Sequence, residues 1–186
     1  MIVYEKASPE NTAPTLRVAT EKAQALSTDL VLSTTTGASA FAALEAARAS
    51  GYTGKLIVVT HAFGTKEPGE NRLSREDRQR LEDAGVTLVT AAHALSGVER
   101  AISGRFGGAY PTEIIAHALR MLCHGVKVCV EIGAMALDAG QIVYGQPVVI
   151  LGGTGSGLDT ACLVTPAYSA KIFDTKVHEI LCKPYA

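Results

Sequence analysis

Tryptophan is absent, and only 6 tyrosines and 4 phenylalanines stand among 186 residues, so the sequence supplies few aromatic platforms on which bases could stack. Charge of either sign is equally scarce as a surplus: 17 Lys and Arg meet 18 Asp and Glu, leaving a net of −1. Nucleic-acid affinity comes largely from neutralising phosphates with a basic excess, so no nucleic-acid partner is expected, and no attachment to an anionic membrane. No apolar run approaches the ~20 residues of a membrane helix, and Met1–Lys6 has neither the apolar stretch nor the cleavage site of a secretory leader. The four cysteines, Cys123, Cys129, Cys162 and Cys182, form no C-x-x-C pair and lie in no His-rich ligand spacing. Buried reduced thiols are expected, and with them a cytoplasmic location. The sequence also has no P-loop, no nucleophile elbow and no paired carboxylates, so no motif announces catalysis.

What is present is an alternation of apolar runs with helix-period segments over a length suited to one domain, residues 1–186. That pattern predicts an α/β fold of three layers, α/β/α, around a mostly parallel five-stranded sheet. The strands fall at Leu30–Ser33, Lys55–Thr60, Val86–Thr90, Pro147–Leu151 and Thr160–Thr165, with a further short candidate at Ile2–Tyr4. Only the turn Gly152–Gly157 joins the last two of the five, too short for a parallel crossover, so the last strand is predicted antiparallel. Helices are predicted after Ser8-Pro9 to about Leu26, over Ala40–Ser50, from Ser74 to Ala84, over Pro111–Cys123 and over Val126–Ala139, with Gly125 breaking the last two apart. Ala91–Tyr110 reads as a flexible stretch or broken helix, and Thr175–Leu181 as a short closing helix.

Three loops leave the carboxyl edge of such a sheet, where ligands of open α/β folds collect. The first, Ser33 to Ser39, runs from a strand into a helix beginning near Ala38. Backbone N–H groups at that helix start, with the hydroxyls of Thr34, Thr35, Thr36 and Ser39 and the close approach that Gly37 permits, make an anion site needing no Lys or Arg. A plain Ser/Thr helix cap is the structural alternative. The second loop, Thr60 to Lys66, offers Thr60, His61, Phe63, Gly64 and Lys66. The third, Gly152 to Thr160, carries Gly153, Thr154, Gly155, Gly157 and Thr160; its glycine spacing fails the dinucleotide fingerprint, and a strand follows where a helix should stand.

At this point the residues carry a resemblance. Thr34-Thr35-Thr36-Gly37-Ala38-Ser39-Ala40 resembles the T-x-S-G-x-S-A phosphate loop of the pyruvate kinase C-terminal domain, with Thr36 in place of Ser. Gly155-Ser156-Gly157-Leu158-Asp159-Thr160 is similar to that domain's G-S-G effector loop between two strands, and the intervening helix and strand patterns follow in the same order over most of Ala19–Thr165. The catalytic barrel is lacking, and an insert at about Ser103–His124 is added, so the chain looks like the stand-alone family of small proteins with this fold. The resemblance implies a regulatory phosphate loop rather than a catalytic one. Gly153 and Thr154 stand where the kinase has Trp and Arg, which removes the cation expected to pair with a second phosphate.

Lys127 and Glu131, four apart on one helix, read as a surface ion pair. Should that face meet the pocket, Glu131 would accept from a ligand hydroxyl; Asp138 lies on nearly the same face. His117 and His124 lack a third ligand at metal-binding spacing, so no metal site is expected. His93 follows the third strand and, with His61, is the acid–base candidate if chemistry occurs. The expected function is binding of a phosphate-bearing small molecule, with flavin mononucleotide the candidate cofactor. The alternatives are an enzyme acting on a phosphorylated metabolite through His61 or His93, and a scaffold. A homo-oligomer is expected, with Pro111–Cys123 as the contact helix of the scaffold reading.

Overall fold

The computed structural model describes residues 1–185, and its centre is a set of strands clothed on both faces. β2 (Leu30–Thr34), β3 (Leu56–Thr60) and β5 (Val148–Gly152) run parallel, with β2 between the other two. Nearly every residue in them is buried, which is why they read as unbroken apolar runs rather than alternating ones. β4 (Thr87–Thr90) continues the sheet beside β3. β6 (Thr160–Thr165) returns antiparallel to β5 across the glycine turn, as the short connection requires.

The sheet is larger than the five strands of the sequence pattern, with seven. Beyond the five stand β1 (Ile2–Tyr4), which is the short candidate of the sequence, and β7 (Lys176–Pro184), giving the order β1-β7-β6-β5-β2-β3-β4. The second corrects the helix expected at Thr175–Leu181. Its first residues are polar and exposed, which hides the strand from local patterning, but β6 and β1 flank it and satisfy its backbone from both sides. Partner strands decide here, not propensity. Four of the six strand pairings are parallel and two antiparallel.

Helices cover both faces, giving the three layers. α1 (Thr12–Leu26), α2 (Ala38–Ser50) and α3 (Arg75–Asp83) lie on one side, closing a core that includes Leu16, Ala43, Leu81, Leu32 and Leu151. On the other side α6 (His124–Asp138) packs Val126, Cys129, Ile132 and Met135 against Val31, Ile57 and Ile150. Twelve of its fifteen residues are buried, because α5 (Pro111–Arg120) covers its outer face through Ala116 and Val130. The two helices do separate, but at Met121–Cys123 and not at Gly125, which lies within the first turn of α6: a Cβ there would overlap the Thr160 side chain, so the helix backbone rests directly on β6. The stretch Ala91–Tyr110 contains α4 (Gly97–Phe106), which has no buried residue of its own.

All four cysteines are buried and free. Among the described residues no helix is long and apolar enough to cross a membrane.

Candidate functional site

The chain's order of connections creates a crevice. β2 leads through α2 to β3 on one side and lies against β5 on the other, so loops leaving β2 and β5 diverge at their shared carboxyl edge. That is the topological switch point at which open α/β sheets take ligands. Along the same edge Thr34, Thr60 and Thr90 end three adjacent strands in register. Above them lies a cleft of about 440 Å³, within the range of small-molecule sites.

The first loop enters the cleft at the start of α2. Thr35, Thr36, Ala38 and Ser39 line it, and the N–H groups of the first turn have no acceptor within the helix. Thr34 also lines the cleft, and its hydroxyl accepts from the Gly37 N–H at 3.1 Å, which folds the loop back on itself. Gly37 stands at the N-cap with φ of 101°, a left-handed conformation that side-chain-bearing residues rarely adopt. From the second loop come Thr60 and His61, and from the third Gly153, Gly155 and Gly157.

Not every expected residue arrives. Gly64 sits on the exposed outer part of its loop, bonded through its N–H to Glu70, and does not line the cleft. Thr154 and Thr160 also stay out of it, as does Gly37, whose N–H is held by the Thr34 hydroxyl. The Thr154 N–H donates to Asp159 Oδ2 at 3.0 Å, and the Thr160 hydroxyl donates to Asp159 Oδ1 at 2.7 Å. Asp159 is fully buried, so these residues are the brace that shapes the glycine turn rather than its binding surface.

The structure adds cations that sequence reading missed. Arg72 follows β3, Arg100 lies on α4 and Arg120 ends α5, and all three reach the cleft. Lys127 joins them from α6, against a single acidic residue, Glu131. Lys127 and Glu131 are no surface pair: their side chains are 7% and 6% exposed, with Nζ and Oε2 2.5 Å apart. Glu131 Oε1 further accepts from the Leu95 N–H at 3.0 Å. One carboxylate thereby ties α6 to the β4–α4 segment that carries His93 and Ser96 into the cleft.

His61 and His93 face each other with ring centroids 5.0 Å apart. Asn71 donates to the His61 carbonyl at 2.7 Å, while His61 Nδ1 is buried without a partner. Burial, then the neighbouring His93 and Arg72, push the His61 pKa down; burial and then Arg120 push His124 down as well. Both imidazoles are therefore neutral at pH 7, the form that accepts a proton. The native state thus holds fewer protons than the unfolded chain just below the ordinary histidine pKa of about 6.5. Stability is accordingly full above that pH and falls as the pH drops through the depressed values. A series of thermal melts checks this, with His61→Gln and His124→Gln each expected to flatten the acid-side slope.

Among the described residues no group of three His, Cys, Asp or Glu is placed to hold a metal ion. His117 is exposed on α5, away from His124 at the cleft, and Asp138 Oδ1 accepts from the Ser169 N–H instead of reaching the site. No protein-family model matches the chain.

Proposed function

We propose that this protein binds a small molecule through a phosphate monoester seated on Thr34–Ser39, with a mononucleotide such as flavin mononucleotide as the ligand. The observation that carries the reading is one cleft holding both a hydroxyl-rich helix N-terminus and four cationic side chains against a single carboxylate. A helix start alone attracts anions through about half a unit of positive charge and its free N–H groups. The surrounding cations raise that attraction where low-dielectric walls limit screening. The sequence resemblance to the phosphate loop of the pyruvate kinase C-terminal domain points the same way. Ile132, Met135 and Val128 line the cleft and give a flat apolar ring a surface to lie on.

Native mass spectrometry of the purified protein tests this directly. A bound mass that carries phosphorus supports it, and added flavin mononucleotide should bind with a shifted visible spectrum. A ligand-free protein that takes up neither flavin mononucleotide nor any other phosphate ester would sink it. The same spectrum counts subunits, which tests the homo-oligomer belonging to this reading. A reducing, cytoplasmic setting also belongs to it, in keeping with four buried free thiols.

The 5.0 Å approach of His61 to His93 favours one second reading, an enzyme on a phosphorylated metabolite with this pair moving a proton. Under it, His61→Ala retains ligand affinity while turnover in a metabolite screen disappears.

A further inference from the structure

α4 contributes nothing to a core. None of its residues is buried, and its large apolar side chains stand in solvent: Val98 is 78% exposed and Phe106 74%, with Ile102 exposed between them. Spaced four apart, these three share one face of the helix. The polar side is already engaged. The Ser103 hydroxyl donates to Glu113 Oε1 of α5 at 2.5 Å, the Glu113 N–H donates to Glu99 Oε2 at 3.1 Å, and Arg100 lines the cleft. A helix anchored through its polar side, with an apolar stripe turned outward, lacks the surface that its pattern is suited to meet.

A groove of complementary shape lies on the opposite layer. Between α1 and α2 runs an open, mostly apolar trough of about 750 Å³, walled by Ala13 and Leu16 from one helix and Ala42, Ala46 and Ala49 from the other. From Ala13 to Thr20 and from Ala42 to Ala49 its walls run about 10 Å, and the stripe from Val98 to Phe106 runs about 12 Å. Small side chains in the groove leave room for large ones to enter. Charge fits as well. Glu10, Glu21 and Glu45 line the groove against Arg17 alone, and none of the four is in an ion pair among the described residues. Arg105, exposed beside Phe106, is also without an ion pair among them. Glu99 and Glu113 are spent on holding α4 to α5, so α4 packed against another α4 would give Arg105 no free carboxylate. The groove supplies one.

We infer that the apolar face of α4 in one copy of this protein seats in the α1–α2 groove of a second copy. Val98, Ile102 and Phe106 enter between the alanines, and Arg105 meets the acidic rim. The two surfaces differ and belong to opposite layers of the fold, so the contact is head-to-tail. A pair of copies keeps one free groove and one free α4, and repetition closes a ring or extends a chain. One helix in a groove is a small interface, which places the association on the order of 1–100 μM. The contact uses no group of the phosphate loop and stands independently of the phosphate reading.

Sedimentation velocity of the full chain from about 1 to about 300 μM reads the association, and two variants identify its faces. Val98→Asp with Phe106→Asp spoils the stripe; Ala13→Arg with Ala49→Arg fills the groove and reverses its charge. All four positions are exposed, so circular dichroism and Tm should match the parent. Each variant alone should stay monomeric where the parent associates. Their equimolar mixture should form dimers and nothing larger, because the groove of the first still receives the α4 of the second, within about threefold of the parent affinity. Phe106→Ala, the milder change should the aspartates disturb α4, should weaken association at least about tenfold. A parent that is monomeric throughout the range overturns the inference. So does a groove variant that associates like the parent, which would mean that α4 pairs with its own kind. A mixture of the two variants that stays monomeric, or that grows beyond dimers, overturns it equally.

Discussion

Replacing Lys127 with methionine is expected to lower stability by about 3–5 kcal/mol, because it strands the Glu131 carboxylate in the protein interior. Both side chains are nearly closed to solvent at the floor of the cleft, and no second cation is bonded to Glu131 among the described residues. For a chain of this length that corresponds to a fall in Tm of roughly 6–20 °C. The two partners do not contribute equally to the rescue. Lys127→Met combined with Glu131→Leu removes the stranded charge but leaves the Leu95 N–H without its acceptor, at a cost of about 1–3 kcal/mol. Lys127→Met with Glu131→Gln keeps an oxygen for Leu95 and should recover most of the loss. Denaturant titration of the three variants checks the order: single substitution weakest, then the leucine double, then the glutamine double. A single Lys127→Met variant as stable as the parent would mean that water reaches the pair in solution.

The second large effect is expected at Gly37. Its φ of 101° is costly for any residue with a side chain, and a Cβ there would lie 2.9 Å from Leu73 Cδ1 and 3.3 Å from Phe41 Cε2. Leu73 is itself buried in the core, so its side chain has little room to withdraw. Gly37→Ala should therefore cost about 1–3 kcal/mol of stability. Its effect on function is larger in proportion, because relieving the strain rotates the peptide that opens α2 and misaims the N–H groups of Ala38 and Ser39. Affinity for a phosphate ester should fall at least about tenfold. Thr36→Ala, which removes one hydroxyl and leaves the backbone alone, should fall less. Equal losses from the two substitutions would place the binding in hydroxyls rather than backbone.

The central strands were legible in the sequence because burial on both faces leaves an unbroken apolar run, as in Leu56-Ile57-Val58-Val59. β7 was not, because its first residues face solvent and its strand character comes from pairing with β6 on one side and with β1, at the other end of the chain, on the other. The loops at the sheet edge were legible for a chemical reason: threonines and a glycine between a strand and a helix suit very few structures. Arg72, Arg100 and Arg120 were not, since each is unremarkable among its sequence neighbours and only the fold brings them to one cleft. Lys127 and Glu131 carried a signal that could have been used. Their helix is apolar nearly all round, with Val126, Cys129, Val130 and Ile132 beside them. Such a helix is buried on every side, so a charged pair within it is buried too.

The central claim is that a phosphate group sits on the amides opening α2. An amide ¹H–¹⁵N titration with flavin mononucleotide, repeated with inorganic phosphate, tests it most directly. The account predicts saturable shifts of the Gly37, Ala38 and Ser39 amides with both ligands, extending with flavin mononucleotide to the amides around His61 and Gly155. Saturable shifts confined to another part of the molecule, or no saturable shift in this loop with either ligand, would contradict it.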